Sequence, residues 1–243
     1  MSEVVNILGV RFRPMSGEAV RDALEGILSS SDGRTRLVIT ANPIMVMTAK
    51  EDPEFRSILR EADLLVPDGI GLLWAARRLG TDLPERITGT DLASYLIERR
   101  PAARLYLLGG KPGVAQRARE RIESSSPGAI VSGCHHGYFQ SQEEDRVVSD
   151  IRAAGTEVLL VGMGSPRQEK FIWRNREKLG AKVAIGVGGV LDVLSGEVRR
   201  APPFVQKAGL EWLYRLACQP SRLRADLQLL RFVMSIRSRR ERT

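Results

Sequence analysis

The sequence predicts an α/β protein: a mainly parallel sheet with helices on both faces, followed by a helical, basic C-terminal appendage. Three observations carry this. Short runs rich in Val, Ile and Leu alternate with helical patterns as far as Gly186. Turns bearing glycine or a capping residue follow most of those runs. The charge excess is confined to the end of the chain: from Glu197 to Thr243 eleven basic residues stand against four acidic ones, whereas the formal charge of all 243 residues is +8. Hydrophobic residues at 43% and charged residues at 27% are ordinary globular usage, which excludes wholesale disorder. That length suffices for a sizeable core.

Strands are expected at Val4–Phe12, Thr35–Ala41, Asp63–Val66, Arg104–Leu108, Ala129–Ser132, Glu157–Val161 and Lys182–Val187. Helices are expected at Ser16–Ser29 (with Ser16 as its cap), Pro53–Glu61, Ile70–Leu79, Asp91–Arg99, Gly113–Ser124, Glu143–Ala154 and Arg167–Leu179. Strands and helices alternating in this way give a parallel sheet covered on both sides, Rossmann-like in organisation. A boundary falls at Ala201-Pro202-Pro203, since paired prolines stop regular structure. Beyond it, Leu223, Leu227, Leu230 and Val233 or Met234 recur at helical spacing. A shorter helix with Trp212 and Tyr214 precedes them. A basic tail of this kind meets phosphate, in nucleic acid or anionic lipid, and arginines beside amphipathic aromatics suit a lipid headgroup interface. A helix packed on the body with a solvated arginine face has the same periodicity.

Several classes are set aside. No signal peptide is visible at the N-terminus, and no run approaches the length of apolar residues that crosses a bilayer, so a cytosolic protein is expected. Cys134 and Cys218 are far apart, which argues against a disulfide framework. Cys134-His135-His136 contains the only two histidines and has no neighbouring ligand to complete a metal set, so no metal is expected. No nucleophile elbow, P-loop or G-x-G-x-x-G fingerprint occurs.

In open parallel sheets ligands bind beyond the carboxyl ends of the strands, so chemistry is sought in those turns. Thr40-Ala41-Asn42-Pro43 reads as a capped strand-to-helix turn. In Pro67-Asp68-Gly69-Ile70-Gly71, Asp68 either caps the next helix or faces the crevice as a general base, its pKa raised by the apolar strand end. Arg86, within Glu85-Arg86-Ile87-Thr88-Gly89-Thr90-Asp91, suits a diphosphate clamp or a surface ion pair with Glu85 or Asp82. Gly109-Gly110, Gly162-Met163-Gly164 and Gly186-Val187-Gly188-Gly189 each let backbone amides approach a phosphate at a helix start, and three such turns favour a nucleotide-type ligand. A nucleotide-dependent oxidoreductase and a nucleic-acid-binding protein remain as alternatives. The missing fingerprint counts against the first, and the near-neutral body without a stacking platform against the second.

These stretches occur in order with Ala62-Asp63-Leu64, Gly133 through Tyr138-Phe139, Ser165-Pro166-Arg167-Gln168-Glu169, Asp192 and Gly209-Leu210-Glu211-Trp212-Leu213-Tyr214-Arg215. Together they resemble the WecG/TagA/CpsF family of bacterial glycosyltransferases from about Ile7 to Phe232, with no departure at a functional position. The resemblance implies a metal-independent, inverting transfer without cofactor, from a UDP-sugar to a polyprenyl diphosphate-linked saccharide on the inner face of the bacterial plasma membrane. It implies Asp68 as the catalytic base with Thr40, Asn42, Arg86 and Gln168 around it. On that basis residues 1–200 form the glycosyltransferase body. Its first half, to about 100, is the acceptor and catalytic side, and its second is the nucleotide-sugar side. Gly109, Gly110, Gly162, Gly164, Gln168 and Gly188 are expected at the donor, with Asp192 as a uridine or ribose contact. Residues 201–243 form the membrane-associating appendage, with Arg215, Arg222 and Arg224 meeting lipid or acceptor phosphate. An apolar tail also points to self-association away from the membrane. The donor sugar, the acceptor sugar and the polymer are left open by the sequence.

Overall fold

The computed structural model describes residues 4–99, 101–199, 201, 202, 205 and 223–240. The first segment is a hairpin, β1 (Val5–Ile7) and β2 (Val10–Phe12), and not the single strand expected across Val4–Phe12. The turn is Leu8-Gly9, both with positive φ, and Gly9 N–H donates to Asn6 Oδ1 at 2.9 Å. A leucine in the left-handed region is unusual, so the apolar run conceals the turn.

After α1 (Gly17–Ser29) come β3 (Arg36–Ala41), α2 (Pro43–Glu51), α3 (Pro53–Glu61), β4 (Leu64–Pro67), α4 (Ile70–Arg78) and α5 (Gly89–Glu98). The second half runs β5 (Arg104–Gly109), α6 (Val114–Ser125), β6 (Ile130–His135), α7 (Glu144–Ala153), β7 (Val158–Gly162), α8 (Arg167–Asn175), β8 (Val183–Gly186) and α9 (Val190–Leu194). The last described element is α10 (Leu223–Arg240). Local chemistry sets the helix starts. The side chains of Ser16, Asn42 and Asp52 accept from Ala19, Met45 and Phe55 N–H, with Pro43 and Pro53 at the first helical positions. Thr88 and Asp91 form a reciprocal capping box at α5. At α2 the sequence predicts only a capped strand-to-helix turn. α9 was not anticipated: it is five residues long, too short for a periodic signal.

The six main strands form one sheet in the order β4-β3-β8-β7-β5-β6, every pairing parallel. Alternate residues face opposite cores. Leu37, Ile39 and Ala41 of β3, with Leu159 and Val161 of β7, join the core that includes α2, α3, α4, α8 and α10. Val38, Val158 and Leu160 face the core of α1, α5 and α6. Both faces are covered, as a parallel sheet requires.

The C-terminal helix joins the first core through Phe232 and Ile236, each 0% exposed. Its packing partners are α2 and α4. Leu227, Leu230 and Met234, part of the apolar stripe read from the sequence, lie on the outside, with Leu230 61% and Met234 62% exposed. Phe232→Ala should therefore destabilise the protein by about 3–5 kcal/mol, and Leu230→Ser with Met234→Ser should stay within about 1 kcal/mol of the parent. Urea unfolding decides this, and equal losses from both variants would contradict the orientation of the helix.

Candidate functional site

The parallel order brings all six carboxyl ends to one rim. After β5 the chain moves outward to β6, whereas after β7 it moves inward to β8, so a crevice opens between the ends of β5 and β7. The sequence-selected turns lie along this rim.

On the β3–β4 side, Thr40 is buried, and its hydroxyl donates to Gly186 O across a long 3.4 Å. Asn42 caps α2, its Oδ1 accepting from Met45 N–H at 3.0 Å. Asp68 follows β4 and is tied to the end of β3 by its own N–H, which donates to Ala41 O at 2.7 Å. Its side chain does not cap α4. Gly69, at φ 109°, occupies the cap position, and the helix has no side-chain cap. The helix-capping reading of Asp68 taken from the sequence is therefore not met. Half-buried, Asp68 stands where the strand opens onto the rim. The next loop lies alongside, with Ile87 N–H donating to Pro67 O at 2.9 Å, which brings Arg86 next to the Asp68 turn. Glu85 accepts from Gly17 N–H at 2.6 Å, and Asp82 pairs with Arg77 at 3.3 Å.

The glycines of the second half divide into two kinds. Gly109 and Gly162 are closely packed against neighbouring backbone. A Cβ on Gly109 would stand 2.4 Å from Gly162 O, and one on Gly162 would stand 2.6 Å from Gly188 O. Gly110 is closed off by Val114, and its N–H already donates to Gly162 O at 3.0 Å. Gly164 and Gly188, at φ 78° and 55°, border open space instead. Gly188 N–H donates to Gln168 Oε1 at 3.1 Å, so that amide faces inward. Asp192 on α9 is half-buried with its Oδ2 3.5 Å from where a Cβ on Gly189 would lie, beside the same turn.

Gln168 is 3% exposed and its neighbour Glu169 is 0% exposed. Gln168 Nε2 donates to Glu169 Oε1 at 2.7 Å. Burial pushes the Glu169 acid up to about 7, against weaker pulls from the Gln168 amide, its own backbone N–H and the Ser165 hydroxyl. Sequence reasoning assigned Glu169 no role, because an acid in the first turn of a helix is ordinary. The signal that could have found it is helical spacing, which places Gln168 and Glu169 with Phe171, Ile172 and Asn175 on the buried face.

At the end of β6, Cys134 donates to Gln116 Oε1, and His135 and His136 lie with ring centroids 4.4 Å apart. Arg167 lies over the Phe139 ring at 5.6 Å, and Tyr138 is exposed at the crevice, next to Gly137, whose Cβ would lie 3.1 Å from Gly109 Cα. Among the described residues no group of His, Cys, Asp or Glu is gathered to hold a metal ion. Arg215 and Arg222 lie outside the described residues, as do Trp212 and Tyr214, and so does the side chain of Arg224. α10 runs past the Asp68 side of the rim: a Leu229 methyl lies 4.0 Å from where a Cβ on Gly71 would stand, and Ile70 next to it is exposed. No helix among the described residues is long and apolar enough to cross a membrane.

The chain matches the glycosyl transferase WecG/TagA/CpsF family over residues 5–243. It is 35% identical over 201 residues to an N-acetylglucosaminyldiphosphoundecaprenol N-acetyl-beta-D-mannosaminyltransferase of Bacillus spizizenii, covering 82% of this chain and 77% of that protein. These two matches show that the chain is a glycosyltransferase and belongs to the WecG/TagA/CpsF family.

Proposed function

We propose that the protein transfers N-acetylmannosamine, with inversion, from its UDP-sugar to a polyprenyl diphosphate-linked N-acetylglucosamine, as a step in cell-surface polysaccharide or teichoic acid synthesis. Support for both sugars comes from the name of the Bacillus spizizenii relative. That name also specifies a β linkage. A sugar carried as an α-linked UDP derivative reaches a β linkage by a single displacement.

The observation that carries the mechanism is Asp68, a half-buried carboxylate at a strand end that does not cap the helix after it. The acceptor hydroxyl gives its proton to the Asp68 carboxylate as its oxygen attacks the anomeric carbon. The bond from that carbon to the diphosphate oxygen breaks on the opposite face, and UDP leaves with the electron pair. Such a step needs one base, not two. The departing diphosphate needs positive charge, which Arg86 supplies from the adjoining loop. Thr40 and Asn42 shape the floor beside Asp68. The open turns at Gly164 and Gly188, with Asp192 and the exposed Tyr138 ring, border the donor side. Arg215, Arg222 and Arg224 are assigned to lipid or acceptor phosphate.

The acceptor's lipid places the reaction at a membrane surface on the cytoplasmic side. The unburied Leu227, Leu230 and Met234 of α10, flanked by exposed Arg231 and Arg237, suit contact with apolar chains and anionic headgroups. Off the membrane, the same apolar stripe is where copies of the chain would meet.

Transfer assayed on vesicles carrying the lipid acceptor tests both parts. Asp68→Asn should lower turnover by at least about 100-fold with UDP binding retained; near-normal turnover by a folded Asp68→Ala protein would remove Asp68 as the base. Leu230→Ser with Met234→Ser should weaken sedimentation with anionic vesicles and leave UDP affinity unchanged. Unaltered vesicle binding would remove α10 from the membrane contact.

A further inference from the structure

Glu169 is a fully buried carboxyl that the transfer chemistry above does not use. Its Oε1 accepts from Gln168 Nε2 at 2.7 Å, while Oε2 has no hydrogen-bond partner among the described residues. The other end of the Gln168 amide accepts from Gly188 N–H at 3.1 Å. Both side-chain heads lie against the last residue of β8: a Cβ on Gly186 would stand 2.7 Å from Gln168 Nε2 and 2.7 Å from Glu169 Oε1. The carbonyl of the same Gly186 receives the Thr40 hydroxyl. A continuous contact therefore runs from Glu169 through Gln168 to the turn that borders Asp192, and across to Thr40 on the Asp68 side.

A glutamine amide has two nearly isosteric orientations, which differ only in which end donates. The Gly188 N–H needs an acceptor, so only the orientation with oxygen toward Gly188 is productive. That orientation directs the nitrogen at position 169, where an oxygen must be waiting. We propose that Glu169 is a positioning residue, fixing the orientation of the Gln168 amide and through it the Gly186–Gly189 turn against which the sugar donor sits. Gln168 then acts as a brace behind the turn and not as a group that touches the sugar. A neutral carboxyl suits the place, since it offers the acceptor oxygen without a buried charge, and burial favours that form. The consequence for catalysis rests on the glycosyl transfer proposed above; the consequence for the turn does not.

The test pairs transfer kinetics with the 1H–15N spectrum of the full chain. In Glu169→Ala the Gly188 amide and the Gln168 side-chain amide signals should both move, and kcat should fall about tenfold, the loss expected for one buried hydrogen bond. Glu169→Gln keeps an acceptor oxygen and should leave both signals in place, with kcat within about threefold of the parent. In a Gln168→Ala background, Glu169→Ala should cost nothing further, whereas a merely structural role would multiply the losses. Unmoved Gly188 and Gln168 signals in folded Glu169→Ala, multiplicative losses, or equal damage from the Gln and Ala variants would each overturn the proposal. Should Glu169→Ala not fold, Gln168→Ala must move the Gly188 signal and Glu169→Gln must not. A parent protein that transfers no sugar would refute the transfer reading alone, with the spectra still deciding the brace.

Discussion

Close backbone approach at three strand ends is the constraint on which the site depends. Gly109 meets Gly162, and Gly162 meets the carbonyl of Gly188, at distances that leave no room for a Cβ. Parallel pairing of β5 with β7 and β7 with β8 brings these ends level, so their loops can interlock only if the residues at the contact have no side chain. With the interlock in place, the turn after β8 lies within reach of Gln168 at the start of α8, and Gly186 offers its carbonyl to Thr40 of β3. The second half of the sheet is thus connected to the first through backbone and short polar side chains along one rim.

A second constraint acts from the C-terminus. α10 contributes Phe232 and Ile236 to the core shared with α2 and α4, the two helices that begin at Pro43 and Ile70. The helix is therefore built into the side of the molecule that carries Asn42 and Asp68. Leu227, Leu230 and Met234 stay exposed on its outer side, and that combination suits the lipid-anchored acceptor proposed above. An internal face that docks the helix and an external face for a surface partner need not compete, since they lie on different sides of the same element.

Much of the architecture was legible because it rests on local signals. Val, Ile and Leu runs placed every main strand to within a few residues, and Ser16 and Asn42-Pro43 marked helix starts through side chains that do cap them. What escaped depended on tertiary context. The Leu8-Gly9 turn is hidden by an apolar residue in an unusual backbone region. The orientation of α10 could not be read, because Leu227-Leu230-Met234 and Phe232-Ile236 are both helical spacings, and only the groove between α2 and α4 selects the second. The glycines expected as phosphate cradles have two kinds of surroundings, and only neighbouring backbone separates Gly109 and Gly162 from Gly164 and Gly188. The removal of Asp68 from its capping role likewise needed the observed cap at Gly69. The oxidoreductase and nucleic-acid alternatives fall with the family assignment.

The proposed function rests on direct displacement at the anomeric carbon, with side chains and backbone amides of this protein supporting the departing diphosphate. The most direct measurement is the anomeric configuration of the product, by NMR, formed from UDP-N-acetylmannosamine and a polyprenyl diphosphate-linked N-acetylglucosamine on anionic vesicles in excess EDTA. Direct displacement predicts a β-linked disaccharide at a rate that EDTA does not change. An α-linked product, or a rate abolished by EDTA and restored by a divalent cation, would contradict it.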